Sequence, residues 1–397
     1  MYLTRLGSRR EINHQLRGNV RCAAKFRALF GIEQVPHGDT VNYSCKRVDT
    51  AEVQEVMCGM VESLIRKKVL YAYRLFNRYY MVAIDGTGEL TFQDRHCEHC
   101  LTRQLNNGAT LYYHPVLEAK LVTANGFCFS LMTEFIENSD PSADKQDCEL
   151  KAFYRLAERL KKRFPRLPIC LLLDGLFIGG PVFSICGKNG WKYLITLKDK
   201  DLPSINEEFR SLCKLEPDKE VRWKFHEGGQ AVAQRLRWQN DLSYKDTFRN
   251  EHTLSVLECR EIRIDKKEEK STKTYRWVTN FQVNEQRLIP LANGGRNRWK
   301  IENEGFNDQK NGGYELEHPY SEDENARKVF YLLLQMAHMI FQLIQRGSLF
   351  KKAFPNGVGS AKNIAKRLLE AWRNLTIKIS HFDKLTEGKF QIRLDSS

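Results

Sequence analysis

Apolar and polar residues follow three patterns along this chain, and each pattern predicts a different kind of structure. In residues 1–75 the apolar positions recur at helical spacing, and Asp49-Thr50-Ala51-Glu52 has the form of a capping box that opens a helix to about Lys68. From Tyr79 onwards, short apolar runs separated by polar stretches indicate strands. Residues 201–296 carry many charges and several alternating segments, which predicts a β-rich region.

The middle of the chain predicts strands interrupted by helices. The runs that we interpret as strands are Tyr80–Ile84 with its continuation near Leu90–Phe92, then Tyr112–Thr123, Phe127–Phe135, Ile169–Leu173 and Tyr193–Leu197. A helix from about Asp147 to Phe164 is expected between the third and fourth strands, and another begins near residue 176. The order β-β-β-α-β-α-β is the plan of an α/β protein with a ribonuclease-H-like mixed sheet. Its central strands are unbroken apolar runs because both faces of such a sheet are covered.

The last third of the chain predicts a return to helices. A turn is expected at Leu291–Gly295, followed by a helix over Arg296–Lys310 that Asn311-Gly312-Gly313 ends. A capping box at Ser321–Glu324 predicts a long apolar helix, and a basic helix begins at Ala361 and runs to about Ile377. The predicted regions are an N-terminal helical region at 1–75, the first part of an α/β core at 76–200, a β-rich insertion at 201–296, the final core helices at 297–345 and a basic helical region at 346–397.

The balance of charge suggests a polyanionic partner. The 397 residues include 63 Lys and Arg against 49 Asp and Glu, a net charge of +14. Nucleic acid is the commonest partner for such an excess, so residues 1–75 are a candidate DNA-binding region. Eleven scattered cysteines without a preceding signal pattern indicate a reducing compartment. The longest apolar stretch, Val329–Ile344, is too short and too polar to span a bilayer, so we expect no membrane association.

Three acidic residues lie in settings that suggest metal chemistry. Asp85 and Asp174 each end an apolar run, where a carboxylate is costly to desolvate unless something holds it. On neighbouring strands the two would lie side by side at one end of the sheet, and a helix carrying Glu302 would close the site. Three carboxylates suffice to hold two magnesium ions for phosphodiester chemistry. Each aspartate taken alone is better explained as the turn residue of an Asp-Gly pair, and only the three acids together favour a metal site.

The helix around Glu302 carries a second prediction. Trp299, Glu302 and Phe306 fall on one helical stripe, which would place Glu302 beside the packed face. Arg298 precedes Glu302 by four residues, the weaker order for a surface ion pair, so we do not expect a simple surface pair there.

These motifs resemble a known family. Ile84-Asp85-Gly86, Leu173-Asp174-Gly175 and Arg298-Trp299-Lys300-Ile301-Glu302-Asn303 are similar to the motifs of DDE-type insertion-sequence transposases. The most similar group carries a Tyr-Arg-Glu-Lys signature around its third acid and a β-insertion before it. The resemblance covers about residues 35–345. The chain departs from the signature twice, because Gly295 stands at the position of the tyrosine and Gln309 at that of the lysine, with Lys310 one residue later.

The resemblance implies an activity and a site. Asp85, Asp174 and Glu302 would be the catalytic residues and would bind two Mg²⁺ ions, for which Mn²⁺ could substitute. Arg298 and Lys310 would contact DNA, and Trp277 would stack on a base flipped out at the transposon end. The family's partner is double-stranded DNA, held by a homodimer in the synaptic complex. The resemblance also implies cut-and-paste transposition as the activity. It implies a bacterial cytoplasmic protein that associates with the nucleoid.

A separate cluster suggests zinc. His96-Cys97-Glu98-His99-Cys100 gives Cys97 and Cys100 the spacing of a metal-binding pair, and His114 or a distant cysteine could complete a tetrahedral site. A turn with reduced thiols explains the same residues.

Two other functions stay open at this stage. A ribonuclease-H-like nuclease would cut DNA without joining it, although such an enzyme has no need of the large insertion. A DNA-binding protein descended from a transposase would keep the fold without catalysis, although all three acids are present.

Overall fold

The computed structural model describes residues 1–94, 97–138, 146–264, 269–357, 359–376 and 380. The strands are β1 Tyr80–Phe92, β2 Leu101–Gln104, β3 Thr110–Val122, β4 Cys128–Phe135, β5 Ile169–Leu173, β6 Lys192–Thr196, β7 Glu220–Glu227, β8 Gln230–Lys245, β9 Glu251–Ile264 and β10 Lys270–Thr279. The α-helices are α1 Arg9–Gln15, α2 Val20–Phe30, α3 Gly38–Cys45, α4 Thr50–Arg66, α5 Glu149–Arg163, α6 Gly180–Asn189, α7 Pro203–Leu215, α8 Glu285–Arg296, α9 Asp308–Asn311, α10 Glu324–Arg346, α11 Ser348–Ala353 and α12 Ala361–Asn374. A π-helical segment, Ile301–Asn307, leads directly into α9.

The strands join into one mixed sheet with helices before and after it in the chain, which confirms the α/β class. Its order is β2-β3-β1-β5-β6-β10-β9-β8-β7, and β4 pairs with β3 outside this path. Strands β1, β5 and β6 are parallel neighbours, whereas β3 runs antiparallel to β1. Strand β10 pairs antiparallel with β6, so the predicted β-rich region continues the same sheet.

Helices cover both faces of the central strands, as the unbroken apolar runs predict. Val82 and Ile84 of β1 belong to a core with residues of α4, α5 and α10, such as Leu156. Met81 and Ala83 point the other way, into a second core with residues of α8 and the π-helical segment. Alternate residues of one strand therefore anchor two separate helical layers.

The turn predicted at Leu291–Gly295 is wrong, because these residues lie inside α8. The Asn284 side chain caps the helix by accepting a hydrogen bond from the Arg287 N–H, and Leu288 is fully buried. Pro290 lies within the helix. Gly295 serves close packing, since a Cβ there would lie only 2.5 Å from the Trp277 ring. Tertiary packing thus overrides the local preference of proline and glycine.

Helix starts agree with the predicted caps to within two residues. The Asp49 carboxylate accepts a hydrogen bond from the Ala51 N–H, and α4 follows at Thr50 as predicted. Helix α10 has its N-cap at Asp323, inside the predicted box but two residues after Ser321. Helix α12 ends at Asn374, and the predicted end at Ile377 lies outside the described residues. Among the described helices, none combines the length and apolar character needed to cross a bilayer.

Candidate active site

Asp85 and Asp174 lie at the same level on neighbouring parallel strands. Ala83 of β1 is paired with Leu172 of β5, and the same register continued by two residues places Asp174 opposite Asp85. Both side chains point to the sheet face that α8 and the π-helical segment cover, because they alternate with Ile84 and Leu173 of the other core. The Asp174 carboxylate also accepts a hydrogen bond from the Leu176 N–H.

Arg298 joins the third acid to the first. Its guanidinium lies 3.1 Å from Oδ2 of Asp85 and 2.8 Å from Oε1 of Glu302, and its side chain is only 10% exposed. The pair with Glu302 is therefore a partly buried bridge between two carboxylates, in agreement with the expectation that it is not a simple surface pair. The three predicted acids converge at one end of the sheet.

The predicted helical stripe of Trp299, Glu302 and Phe306 is wrong for Trp299, which does not lie on the packed face. Phe306 is buried, but Trp299 is 51% exposed and its ring lies beside the Arg298 guanidinium. Glu302 lies in the π-helical segment, where each turn holds more residues than in an α-helix. The wider turn rotates Trp299 away from the face that Phe306 packs.

Burial and the neighbouring charges make Asp85 costly to ionise. Burial raises the pKa of Asp85 from its ordinary 3.8 to about 7, and the negative charges of Glu302 and Asp174 add to the rise. The Arg298 charge acts in the opposite direction. A cation placed among these oxygens would relieve the repulsion, which is the physical condition for a divalent metal site.

Glu149 is a fourth carboxylate that the sequence analysis missed. It is the first residue of α5 and reaches the site from the other face of the sheet, over Gly86. A Cβ on Gly86 would lie 2.3 Å from Oε1 of Glu149, so the glycine leaves the room that this carboxylate occupies. Burial and the charge of Asp174 raise the pKa of Glu149. An acidic residue at a helix start is too common to mark the site in sequence.

A cavity of about 460 Å³ opens beside Asp174 and contains the predicted base-stacking residue in its wall. Its lining includes Trp277, Gly295, Arg298 and Trp299. Trp277 itself is buried, with its ring stacked on Tyr275 at 6.0 Å between centroids. A Cβ on Gly295 would lie 2.5 Å from the indole, so the position of the family tyrosine has room here only for glycine.

A second cavity, of about 620 Å³, lies between α8 and the far edge of the sheet. Two half-exposed aromatic side chains, Trp223 of β7 and Trp299, line it together with Lys300 and Arg296. The sequence analysis did not single out Trp299 as a surface residue. Exposed aromatic rings beside cationic side chains are the combination that single-stranded nucleic acid binds.

The remaining predicted residues lie outside the carboxylate cluster. Lys310 forms an ion pair with Glu317 at 2.7 Å. Gln309, at the position of the signature lysine, is fully buried and hydrogen-bonds Gln335 and His338.

The cysteine pair forms a compact cluster with His114. Cys97, Cys100 and His114 meet within 4.8 Å of one another, as one of the sequence alternatives requires. His96 lies outside the described residues, and the Nδ1 of His99 donates a hydrogen bond to the Asn138 carbonyl instead.

Taken together, the sheet end presents four clustered carboxylates, one bridging guanidinium and two cavities lined by aromatic and basic side chains. This arrangement can hold divalent cations and an extended polyanion at adjacent positions. No protein-family model matches this chain, and a search of curated proteins finds no match either.

Proposed function

We propose that this protein is a DDE-type DNA transposase that cuts double-stranded DNA at terminal inverted repeats and joins the 3′-hydroxyl ends to target DNA. The observation that carries the proposal is the convergence of Asp85, Asp174 and Glu302 on one sheet face, where Arg298 links Asp85 to Glu302. The strand order β4-β3-β1-β5-β6, with Asp85 within its first strand in chain order and Asp174 directly after its fourth, supports a ribonuclease-H-like core.

The donor set fits magnesium. Carboxylate oxygens are the ligands that Mg²⁺ prefers, and the raised pKa of Asp85, caused first by burial and then by the neighbouring carboxylates, supports a cation at this place. Asp85, Asp174 and Glu302 would hold the ions, with Glu149 close enough to contribute. When bound, two such ions activate the attacking oxygen and stabilise the leaving oxygen in phosphodiester chemistry.

The protein's own groups supply positioning. Arg298 would donate to a phosphate at the DNA end once the metal ions neutralise Asp85 and Glu302. Lys310 and the +14 net charge would attract the DNA, and Trp277 would take a flipped base through the cavity beside Asp174. Cutting two ends together requires two copies, so a homodimer on the DNA is part of the proposal, as is residence with the bacterial nucleoid.

The test is excision of a marker flanked by the DNA that borders the gene, with Mg²⁺ or Mn²⁺ present. Wild type is compared with Asp174→Asn and with the matched control Asp218→Asn, which changes an exposed aspartate far along the chain, between α7 and β7. We expect excision and joined products from wild type and Asp218→Asn, and a loss of about 100-fold or more with Asp174→Asn.

Each other outcome identifies a different function. Cut ends that are never joined to target DNA would indicate a nuclease. Salt-sensitive binding of the flanks by all three proteins, without excision, would indicate a DNA-binding protein that has lost catalysis.

A further inference from the structure

The turn between β1 and β2 brings two thiols and an imidazole to one point. Cys97 and Cys100 lie in this turn, and His114 lies on β3, where it is paired with Leu90 of β1. Cys100 and His114 are buried, and Cys97 is half-buried. This pairing lies five residues beyond Asp85 along β1, so the cluster is separate from the carboxylates.

The three distances are those of a metal site. Sγ of Cys97 lies 3.5 Å from Sγ of Cys100, and Nε2 of His114 lies 3.4 and 3.3 Å from the two sulfurs. A tetrahedral zinc ion with Zn–S near 2.3 Å and Zn–N near 2.0–2.1 Å would separate two sulfurs by about 3.8 Å and a sulfur from the nitrogen by about 3.6 Å. The observed triangle needs only a few tenths of an ångström of expansion.

A disulfide fits the same atoms less well. Bonded sulfurs lie about 2.05 Å apart, whereas the sulfurs of Cys97 and Cys100 are 3.5 Å apart. The Nε2 of His114 is close to both sulfurs, as a third metal ligand would be. A disulfide would not use this nitrogen.

We propose that Cys97, Cys100 and His114 bind one zinc ion as two thiolates and one neutral imidazole. Binding releases the two thiol protons to solvent, which leaves the complex with no net charge from its ligands and metal. Three protein ligands leave the fourth tetrahedral position to water or to a small exogenous ligand. The inference does not depend on the proposed transposase activity.

The ion would fasten the turn to the segment that leads into α5. The Asn138 side chain donates a hydrogen bond to the Cys100 carbonyl, and its Oδ1 accepts one from the Asp147 N–H. The Gln146 side chain bonds both backbone groups of Thr102 on β2. Because α5 begins at Glu149, zinc would hold the helix start that carries the fourth carboxylate.

The full chain is expressed in medium that contains zinc and is purified without a chelator. Its zinc content is then measured by elemental analysis and native mass spectrometry. Variants are Cys97→Ser, at the half-buried ligand that disturbs packing least, and His114→Asn. Cys148→Ser, an exposed cysteine outside the cluster, is the matched control. Asp85→Asn distinguishes this site from the carboxylates. Far-UV circular dichroism checks that each variant is folded.

We expect one zinc per chain in wild type, Cys148→Ser and Asp85→Asn. Zinc affinity should fall in Cys97→Ser and His114→Asn by at least the roughly 10–100-fold that loss of an outer-shell partner costs. Cobalt substituted into wild type should show thiolate-to-cobalt absorption that Cys97→Ser weakens.

Three results would overturn the proposal. One is wild-type protein that takes up no zinc on titration while all eleven cysteines react as thiols. Another is two cysteines fewer than eleven reacting in the denatured protein, which would indicate a disulfide. The third is zinc that survives in folded Cys97→Ser but is lost in Asp85→Asn. None of these results involves DNA, so they stand apart from the excision test.

Discussion

Arg298 occupies the space between two carboxylates that a metal ion would also use. Its contacts at 3.1 and 2.8 Å supply one positive charge to a cluster of four carboxylates. Burial and the neighbouring carboxylates outweigh this charge, so the pKa of Asp85 remains raised to about 7 despite the pair. This cluster of carboxylates is thus an electrostatically costly arrangement.

That cost predicts a pH dependence of stability. Between about pH 4 and pH 7 the folded chain keeps a proton on Asp85 that the unfolded chain has released, so the free energy of unfolding falls as pH rises through this window. Asp85→Asn cannot titrate and should lose this decrease. At pH 8 without magnesium it should be more stable than wild type by roughly 1–3 kcal/mol.

Urea unfolding at pH 5 and pH 8 measures the effect, in magnesium-free buffer without a chelator. Added magnesium should stabilise wild type at pH 8 and leave Asp85→Asn unchanged. Equal pH dependence in both proteins would show that Asp85 is not the group responsible.

At the scale of elements, the sequence predicted what depends on local pattern and missed what depends on packing. The apolar run before Asp174 predicted a strand end there, because a buried parallel strand needs an apolar run. The strand end predicted at Asp85 is wrong, because β1 continues to Phe92 in its pairing with β3. Helix α8 was missed because Pro290 and two glycines favour a turn locally. Trp299 was misplaced because the π-helical segment breaks the 3.6-residue period. Glu149 was missed because only the tertiary structure brings the α5 start over Gly86.

The close contact of α8 with the sheet predicts a large effect from one methyl group. Gly295→Ala would place a Cβ 2.5 Å from the Trp277 indole, so either α8 or the ring must shift. We expect a loss of about 1–3 kcal/mol in the free energy of unfolding. Gly59→Ala is the matched control, because it lies inside α4 with no atom within 4 Å of the new Cβ.

Gly59→Ala should stabilise the protein by about 0.5–1 kcal/mol through helix propensity. Thermal or urea unfolding of the two variants provides the comparison. If Gly295→Ala were as stable as Gly59→Ala, α8 would not be packed against Trp277 in solution.

At the scale of the whole molecule, the net charge of +14 predicts salt-dependent DNA binding. The logarithm of affinity for duplex DNA should fall linearly with the logarithm of salt concentration, by about 0.9 for each phosphate contact. If Arg298 binds a DNA-end phosphate, Arg298→Gln should make that slope shallower by about 0.9, the contribution of one phosphate contact. Lys214→Gln, an exposed change on α7, should leave the slope unchanged.

Fluorescence anisotropy with labelled duplex, measured over a series of salt concentrations, gives these slopes. A slope near zero in wild type would remove the charge argument for nucleic acid. An unchanged slope in Arg298→Gln would show that Arg298 does not contact a DNA phosphate and forms only its ion pairs with Asp85 and Glu302.

The shared register of β1 and β5 fixes the position of Asp85 relative to Asp174. Their alignment is fixed by backbone hydrogen bonds between two strands, and it owes nothing to the length of the loops between them. Residues added in an exposed connection would leave the pair intact, whereas a one-residue shift within either strand would turn one carboxylate to the opposite face. The chemistry of this site can therefore be transplanted only with both strands and their pairing.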